Sequence, residues 1–394
     1  MLSVNLDMYQ SSAVAAVVIL LGRWMVKNIA FLSKYCIPVP IAGGCAFALV
    51  HWVLRMLGII EVSIDTTLMY FFMMVFFCSV GFNASVSLLK KGSVQVLMLT
   101  ALVAVLCLVQ NIIGVGLAYS MDVNPFIGLC AGSVSLLGGH GTAGSYGPMF
   151  ESLGIQGASA VAIASATYGL VAGCMIGGPL AVSRIRKFNL HSNEEELDEV
   201  VTKSGKHEHI PLDGHKFINA TLLLAIAIGI GTVILTFLNS IVLVPIYIGA
   251  LLVAVILRNV LPERLCPTHE IGILGELSLA LFLGMAMMNL KLWELASLAL
   301  PMIVILVVQT GIMALFAYYV VFRVMGKNYD AAVMTTGICG FGLGATPNAM
   351  ANMEAVVSKF GPSTLAYLVI PIVGALFVDL VNAGILTVFM NLLK

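Results

Sequence analysis

The sequence predicts an all-α polytopic membrane protein built from two inverted-topology repeats of five helices, each repeat with a re-entrant hairpin. Hydrophobic residues make up 60% of its 394 residues and charged residues only 10%, with a mean hydropathy of +1.05. Soluble domains carry about 25% charged residues. Sequence elements of the first half recur in the second, and a glycine-rich break interrupts an apolar segment at matching places. These three observations favour a many-helix membrane protein with an internal repeat.

Ten apolar segments have the length of a membrane crossing, about 20 residues. They are 8–30, 38–57, 66–84, 94–120, 158–183, 217–238, 241–260, 272–290, 298–323 and 363–390. The segments 125–152 and 330–357 contain the breaks, and we expect each to enter the membrane and return on the same side. The predicted organisation is an N-terminal repeat over 1–183, a cytoplasmic linker over 184–216 and a C-terminal repeat over 217–394.

The basic residues predict the orientation. With both termini outside, all but three of the nineteen Lys and Arg residues lie on the inner side, the exceptions being Arg55, Lys291 and Lys394. Cytoplasmic loops are enriched in Lys and Arg, so both termini are predicted to be periplasmic. The formal net charge is zero, which gives no indication of a nucleic-acid partner.

The repeat rests on three anchors. The motif Pro40-Ile41…Gly44 recurs as Pro245-Ile246…Gly249, Met121…Asn124…Gly138…Thr142 recurs as Met325…Asn328…Gly342…Thr346, and Asn83 corresponds to Asn289. Five crossings per half is an odd number, so the two halves must have opposite topology, as in many secondary transporters. The two hairpin tips are then expected to meet near the middle of the membrane.

The tips are the predicted substrate site. Thr346 is expected to cap a half-helix with Pro347 in its first position, and Thr142 is expected to start the matching half-helix. Two helix N-termini facing each other form an anion site without a buried basic residue. The alternative is that these glycines only permit close helix packing. The predicted substrate-binding residues are Gly139, His140, Gly141, Thr142, Gly344, Ala345, Thr346 and Asn348.

Asp379 is the second candidate, because a carboxylate in an apolar span is costly and usually functional. Asn382 lies one turn later on the same predicted helix face. Asp379 could coordinate Na⁺, carry a proton, pair with a substrate ammonium, or serve only structure. The polar residues Gln110, Asn111 and Gln309 lie in apolar runs, where they line the pathway or hold helices together. Ser133 and Ser135, on one helix face before the first tip, are further candidates. All seven are predicted sodium or coupling residues.

The chain closely resembles the bacterial sodium/glutamate symporter family over essentially its whole length. The similarity rests on the motifs Gly138–Thr142, Lys291–Pro301, Gly326–Val333 and Cys339–Pro347. The resemblance implies Na⁺-coupled uptake of L-glutamate across a bacterial inner membrane. It also implies two inverted five-helix halves with re-entrant loops, a homodimer and an elevator-like motion. No cofactor is expected, and Na⁺ is the co-transported ion.

The residues also leave other functions to consider. A related symporter for another amino acid or for a hydroxycarboxylate such as citrate is the nearest alternative, although citrate has no ammonium for Asp379 to meet. An intramembrane hydrolase using His140 and Ser145 would need a base placed by another helix, so the chain is not expected to be an enzyme. A passive channel would not need two capped half-helices.

Overall fold

The computed structural model of the protein describes residues 2–30, 32, 37–84, 94–192, 212–240, 244–294 and 298–394. Most of these residues are helical, as the composition predicts. The helices are α1 (Met8–Asn28), α2 (Val39–Met56), α3 (Thr67–Asn83), α4 (Val94–Ser120), α5 (Pro125–Cys130), α6 (Ser133–Leu136), α7 (Gly139–Ser152), α8 (Ala158–Phe188), α9 (Gly214–Asn239), α10 (Ile248–Val260), α11 (Thr268–Met288), α12 (Ala299–Val324), α13 (Tyr329–Gly342), α14 (Thr346–Phe360), α15 (Thr364–Leu376) and α16 (Val378–Leu393).

The part of the chain that the structure describes confirms a multi-pass membrane protein. Eight helical segments are long and apolar enough to cross a membrane, with α15 and α16 counted as one span. All ten predicted crossings correspond to helices. The two short ones are α3, with 17 residues, and α10, with 13. The segment predicted for α10 began at residue 241, and residues 241–243 lie outside the described residues.

Two short strands are an addition that the helical hydropathy pattern does not predict. Strand β1 (Leu2–Leu6) pairs in parallel with β2 (Ile60–Ile64), with Leu2 opposite Ile60. The Nε2 atom of His51, on α2, accepts a hydrogen bond from the Val62 amide at 3.0 Å. The β1–β2 pair ties the N-terminal segment to the connection between α2 and α3.

Helix α8 continues to Phe188, five residues past its predicted end. Arg184 therefore lies inside the helix and is 4% exposed. Its guanidinium carbon lies 3.5 Å from the centre of the Tyr318 ring, and its Nε donates to the Tyr318 carbonyl at 3.0 Å. The aromatic faces and the carbonyl compensate for the cost of burying the charge. For this reason Arg184, the first basic residue after the apolar run, lies inside the helix and does not mark its end. Residues 193–211 of the predicted linker lie outside the described residues.

The helices pack as two groups. The first helix group contains α1–α3 and α9–α11, and the second helix group contains α4–α8 and α12–α16. Helices pack mainly within their own group, and the largest contacts between groups are α7 on α11 and α15 on α3. Each half of the chain therefore gives its first three helices to one group and its broken segment to the other.

Candidate functional site

The first break separates α6 from α7 at residues 137–138. Gly139 has φ of +61°, a conformation that favours glycine. A β-carbon on Gly138 would lie 2.5 Å from Oγ1 of Thr142, so only glycine permits this close turn. Because the helix begins at Gly139, Thr142 lies one turn inside it. The expectation that Thr142 starts the helix is therefore wrong.

The second break separates α13 from α14 at residues 343–345. Ala345 is extended and precedes the helix, Thr346 is its first residue, and no side chain caps its amides. The expectation that Thr346 is the cap is therefore wrong, and Pro347 occupies the second helical position. The Asn348 and Ala349 amides donate instead to the Ala345 carbonyl, at 3.0 and 3.2 Å. The Thr346 hydroxyl is thus not engaged in capping.

The two breaks meet at one cavity of about 290 Å³, here called the tip cavity. A β-carbon on Gly139 would lie 3.1 Å from the Gly344 carbonyl oxygen, so the tips touch. The residues lining the cavity are Pro38, Phe76, Leu137, Gly138, Gly139, His140, Gly141, Thr142, Leu279, Leu283, Phe341, Gly344, Ala345, Thr346, Pro347, Gly374, Val378 and Asp379.

Seven of the eight predicted substrate residues line the tip cavity, from Gly139 to Thr142 and from Gly344 to Thr346. The first turn of α7 leaves its amides without partners inside the helix, and these amides belong to Gly139, His140 and Gly141. Within the described residues, neither the Thr142 nor the Thr346 hydroxyl makes a hydrogen bond. The tips therefore present neutral donors to the cavity.

His140 is held by the second helix group. Its Nε2 lies 3.1 Å from Oγ1 of Thr167, on α8. The Thr167 hydroxyl donates its hydrogen to the Ile163 carbonyl at 3.0 Å. The histidine must therefore be the donor in the His140–Thr167 pair. This fixes the Nε2–H form of His140 at the edge of the cavity.

Asn348, the eighth predicted substrate residue, lies outside the cavity lining. It is 1% exposed, and its Nδ2 donates to the Leu170 carbonyl of α8 at 3.0 Å. One turn later, Asn352 donates to the Gly173 carbonyl at 3.0 Å. These two carboxamides hold α14 against α8, so Asn348 positions the second tip. A side chain in the first turn of a helix can face the cavity or a neighbouring helix, and the sequence does not distinguish these two orientations.

Helix α8 receives the second tip along its glycines. A β-carbon on Gly169 would lie 1.9 Å from the Leu343 carbonyl oxygen, and one on Gly173 would lie 2.7 Å from the Cys339 carbonyl oxygen. Backbone therefore contacts backbone at this crossing. The position of the second tip along α8 therefore depends on Gly169 and Gly173.

We expect Gly169→Ala to weaken glutamate binding although Gly169 does not line the cavity. Overpacking of this kind costs about 1–3 kcal/mol. Because the strain falls on the tip position that forms the cavity, we expect it to weaken binding by up to the same amount, about 5- to 150-fold in affinity. The measurement is the half-saturation concentration for uptake. The matched control is Gly178→Ala on the same helix, where an added β-carbon meets nothing within 4 Å. An unchanged half-saturation concentration in Gly169→Ala would contradict this packing account.

Asp379 lies beside both tips because the last crossing is itself broken. Helix α15 ends at Leu376, and α16 starts at Val378, which places Asp379 in its first turn. Among the described residues that line the tip cavity, Asp379 is the one carboxylate, and none is a Lys or an Arg. The sequence suggested an uninterrupted span here, because Phe377 is apolar and carries no turn signal.

Asn382 joins the last crossing to the first tip. Its Oδ1 accepts from the Ser133 hydroxyl at 2.7 Å, and its Nδ2 donates to the Ser133 carbonyl at 3.0 Å. Asn111 accepts from the Ser133 amide at 3.2 Å, and Cys107 donates to Asn382 at 3.1 Å. Three predicted coupling residues, Ser133, Asn111 and Asn382, therefore form one buried network a turn from Asp379.

The remaining predicted coupling residues lie between helices, outside the cavity lining. The Ser135 hydroxyl lies 2.7 Å from the Ala162 carbonyl oxygen. Gln110 donates to the Gly342 carbonyl at 2.9 Å, and Gln309 donates to the Gln110 carbonyl at 2.6 Å. Of the two roles that the sequence left open for Gln110 and Gln309, these contacts favour holding helices together.

The sequence does not predict the apolar wall of the cavity. Phe76 on α3, with Leu279 and Leu283 on α11, comes from the first helix group and faces the tips. In a uniformly apolar helix no pattern distinguishes a cavity wall from a lipid-facing surface. The site thus combines polar tips from one group with an apolar wall from the other.

Comparisons with known proteins find one family model and relatives that match along nearly the whole chain. The family model described as Sodium/glutamate symporter matches residues 4–362. The Sodium/glutamate symporter of Escherichia coli (strain K12) is 42% identical over 394 residues, covering 98% of each chain. The protein of the same name from Haemophilus influenzae (strain ATCC 51907 / DSM 11121 / KW20 / Rd) is 39% identical over 397 residues, again covering 98% of each chain.

Proposed function

We propose, since this chain belongs to the sodium/glutamate symporter family, that it carries glutamate together with Na⁺ across the membrane by way of the tip cavity. The chain is a transporter and not an enzyme, and Na⁺ is its co-transported ion. The observation that supports this location is that both breaks and Asp379 border one cavity. Uptake of labelled glutamate into proteoliposomes, with and without a Na⁺ gradient, tests the proposal.

Glutamate fits the donors of the two tips. It has two carboxylates, and the cavity offers two helix N-termini, each of which favours negative charge. The Thr142 and Thr346 hydroxyls add one donor at each tip. We assign one carboxylate to each tip, and the apolar wall of Phe76, Leu279 and Leu283 to the methylene groups between them.

We assign coupling to Asp379. Na⁺ prefers hard oxygen ligands, as do other hard cations, and the Asp379 carboxylate is the charged oxygen group among the lining residues. The network of Asn382, Ser133 and Asn111 fixes α16 against the first tip. An ion bound by Asp379 would thereby act on the geometry of the substrate site. Gln110, Gln309 and Ser135 are assigned to the support of the helices.

An elevator-like motion is proposed for the transport step. The second helix group carries both tips and Asp379, whereas the first helix group supplies the apolar wall. A group with few outside contacts can move as a unit. A short thiol-specific cross-linker between cysteines placed at Gly144 on α7 and Phe282 on α11 is expected to stop uptake. Full uptake after cross-linking would argue against the motion.

We also propose that the chain forms an inverted repeat with two re-entrant hairpins and that both termini are periplasmic. We further propose that it works as a homodimer in a bacterial inner membrane. Ser63→Cys, on β2, is expected to react with an impermeant thiol reagent from outside, and Ser358→Cys, near the end of α14, only after permeabilisation. Both serines are exposed. Equal labelling of both from outside would refute the inverted arrangement. Cross-linking in membranes that yields only monomers would refute the homodimer.

A further inference from the structure

A second cavity, of about 330 Å³, lies between the two helix groups. Helices α3, α7 and α9 and the residues before α10 form its walls. The lining residues are Tyr70, Met73, Ser145, Met149, Ser152, Leu235, Asn239, Val244, Pro245, Ile246 and Tyr247. Within the part of the chain that the structure describes, no charged side chain lines this cavity.

The second cavity and the tip cavity are lined by successive residues of the same two helices, α3 and α7. On α3, Tyr70 and Met73 line the second cavity, and Phe76, on the same face, lines the tip cavity. On α7, Met149 lines the second cavity and Thr142, two turns earlier, lines the tip cavity. The two cavities therefore follow one another between α3 and α7. At 1.5 Å per residue, Tyr70 and Phe76 are about 9 Å apart along the helix axis.

The second cavity lies toward the predicted outer face. Its far end lies near the start of α3, the end of α7 at Ser152 and the end of α9 at Asn239. Strand β2, which directly precedes α3, belongs to the same side of the protein. The distribution of Lys and Arg predicts that this side is periplasmic.

The chemistry of the second cavity suits passage rather than tight binding. The Ser145 and Ser152 hydroxyls donate to the Thr142 and Met149 carbonyls at 3.0 and 2.6 Å, so both serine hydrogens are already engaged. The Tyr70 hydroxyl and the Asn239 side-chain nitrogen make no hydrogen bond within the described residues. Two neutral donors can receive a carboxylate for a short time, and no basic residue would trap it.

We propose that the second cavity is the part of the glutamate path between the tip cavity and the outer face. The inference rests on the proposed function, because it assumes that the tip cavity holds glutamate. It adds a role for Tyr70, Met73, Met149 and Asn239, none of which borders the tip cavity. Glutamate passes between α3 and α7 on its way to the tips.

The first test uses Met149→Cys, which places a thiol in the middle of the second cavity. An impermeant methanethiosulfonate reagent added outside is expected to label it and to remove at least about nine-tenths of the uptake, since every glutamate must pass this point. Glutamate with Na⁺ is expected to slow the labelling. The matched control is Val233→Cys on α9, at a residue that is 71% exposed on an apolar helix surface. Its uptake should survive the reagent.

Labelling of Met149→Cys without loss of uptake, or no labelling at all, would overturn the proposed path. The unmodified parent protein keeps the two proposals separate. If the parent shows no Na⁺-driven uptake, the proposed function fails. If the parent transports glutamate while modified Met149→Cys transports equally well, only the path fails.

A second variant tests the path without chemical modification. Met149→Trp narrows the second cavity, and Met149→Leu keeps its size. We expect Met149→Trp to slow uptake at least tenfold while equilibrium glutamate binding in detergent changes less than twofold. Met149→Leu should be close to the parent in both. Unchanged uptake in Met149→Trp, or equal losses of binding and uptake, would overturn the inference.

Discussion

Asp379→Asn is expected to abolish Na⁺-driven glutamate uptake while the protein still folds and inserts. Asparagine keeps the shape of the side chain and removes its charge, so a hard cation loses its best oxygen ligand. A carboxylate in the membrane interior is costly, so its removal is not expected to reduce stability. The measurement is uptake into proteoliposomes with and without a Na⁺ gradient, together with the amount of inserted protein.

The matched control for Asp379→Asn is Asp122→Asn, in the connection between α4 and α5. Asp122 is exposed and has φ of +54°, a conformation that asparagine also tolerates. This control should transport like the parent. If Asp379→Asn keeps the Na⁺ dependence of the parent, Asp379 serves structure and coupling lies elsewhere. Asp379→Glu tests whether the position of the carboxylate matters, because it restores the charge on a longer side chain.

Thr142→Val and Thr346→Val are each expected to raise the half-saturation concentration for glutamate by about 10- to 150-fold. Each substitution keeps the volume and removes one hydroxyl donor to a carboxylate, a hydrogen bond worth about 1.5–3 kcal/mol. Thr232→Val, on the exposed surface of α9, is the control. Its hydroxyl only donates to the Gly229 carbonyl of its own helix, at 2.8 Å.

Glutamine tests the same site from the ligand side. One of its ends is a neutral amide, so one of the two tips would lose its carboxylate. The parent is therefore expected to transport glutamine poorly. Transport of glutamine as efficient as that of glutamate would refute the two-carboxylate site. If both threonine variants also keep the affinity of the parent, the tips are structural.

The sequence predicted the parts of the site that depend on residue type. Glycine runs and Thr-Pro mark breaks in apolar segments, and Asp379 is conspicuous in its span. The predicted repeat leads to the expectation that the two tips meet, and Gly139–Thr142 and Gly344–Thr346 do line one cavity. Hydropathy also predicted a helical segment at all ten positions, eight of which are long and apolar enough to cross a membrane, because long apolar runs have few alternatives in a membrane.

The details that sequence did not predict depend on backbone geometry. The positive φ of Gly139 starts α7 one turn before Thr142, and the extended Ala345 takes the position assigned to Thr346. Asn348 contacts α8 because the glycines of that helix allow a close approach. The break at Phe377 has no marker residue. None of these features changes the composition of a segment, so no pattern of residue types reports them.

The central claim is that a Na⁺ gradient drives glutamate through the cavity between the two tips. The most direct measurement is accumulation of labelled glutamate in proteoliposomes containing the parent protein, under an inward Na⁺ gradient. An equal K⁺ gradient and a Na⁺ ionophore serve as controls. The account predicts accumulation above equilibrium that requires the Na⁺ gradient and collapses with the ionophore. Equal accumulation in K⁺, or simple equilibration with no dependence on Na⁺, would contradict it.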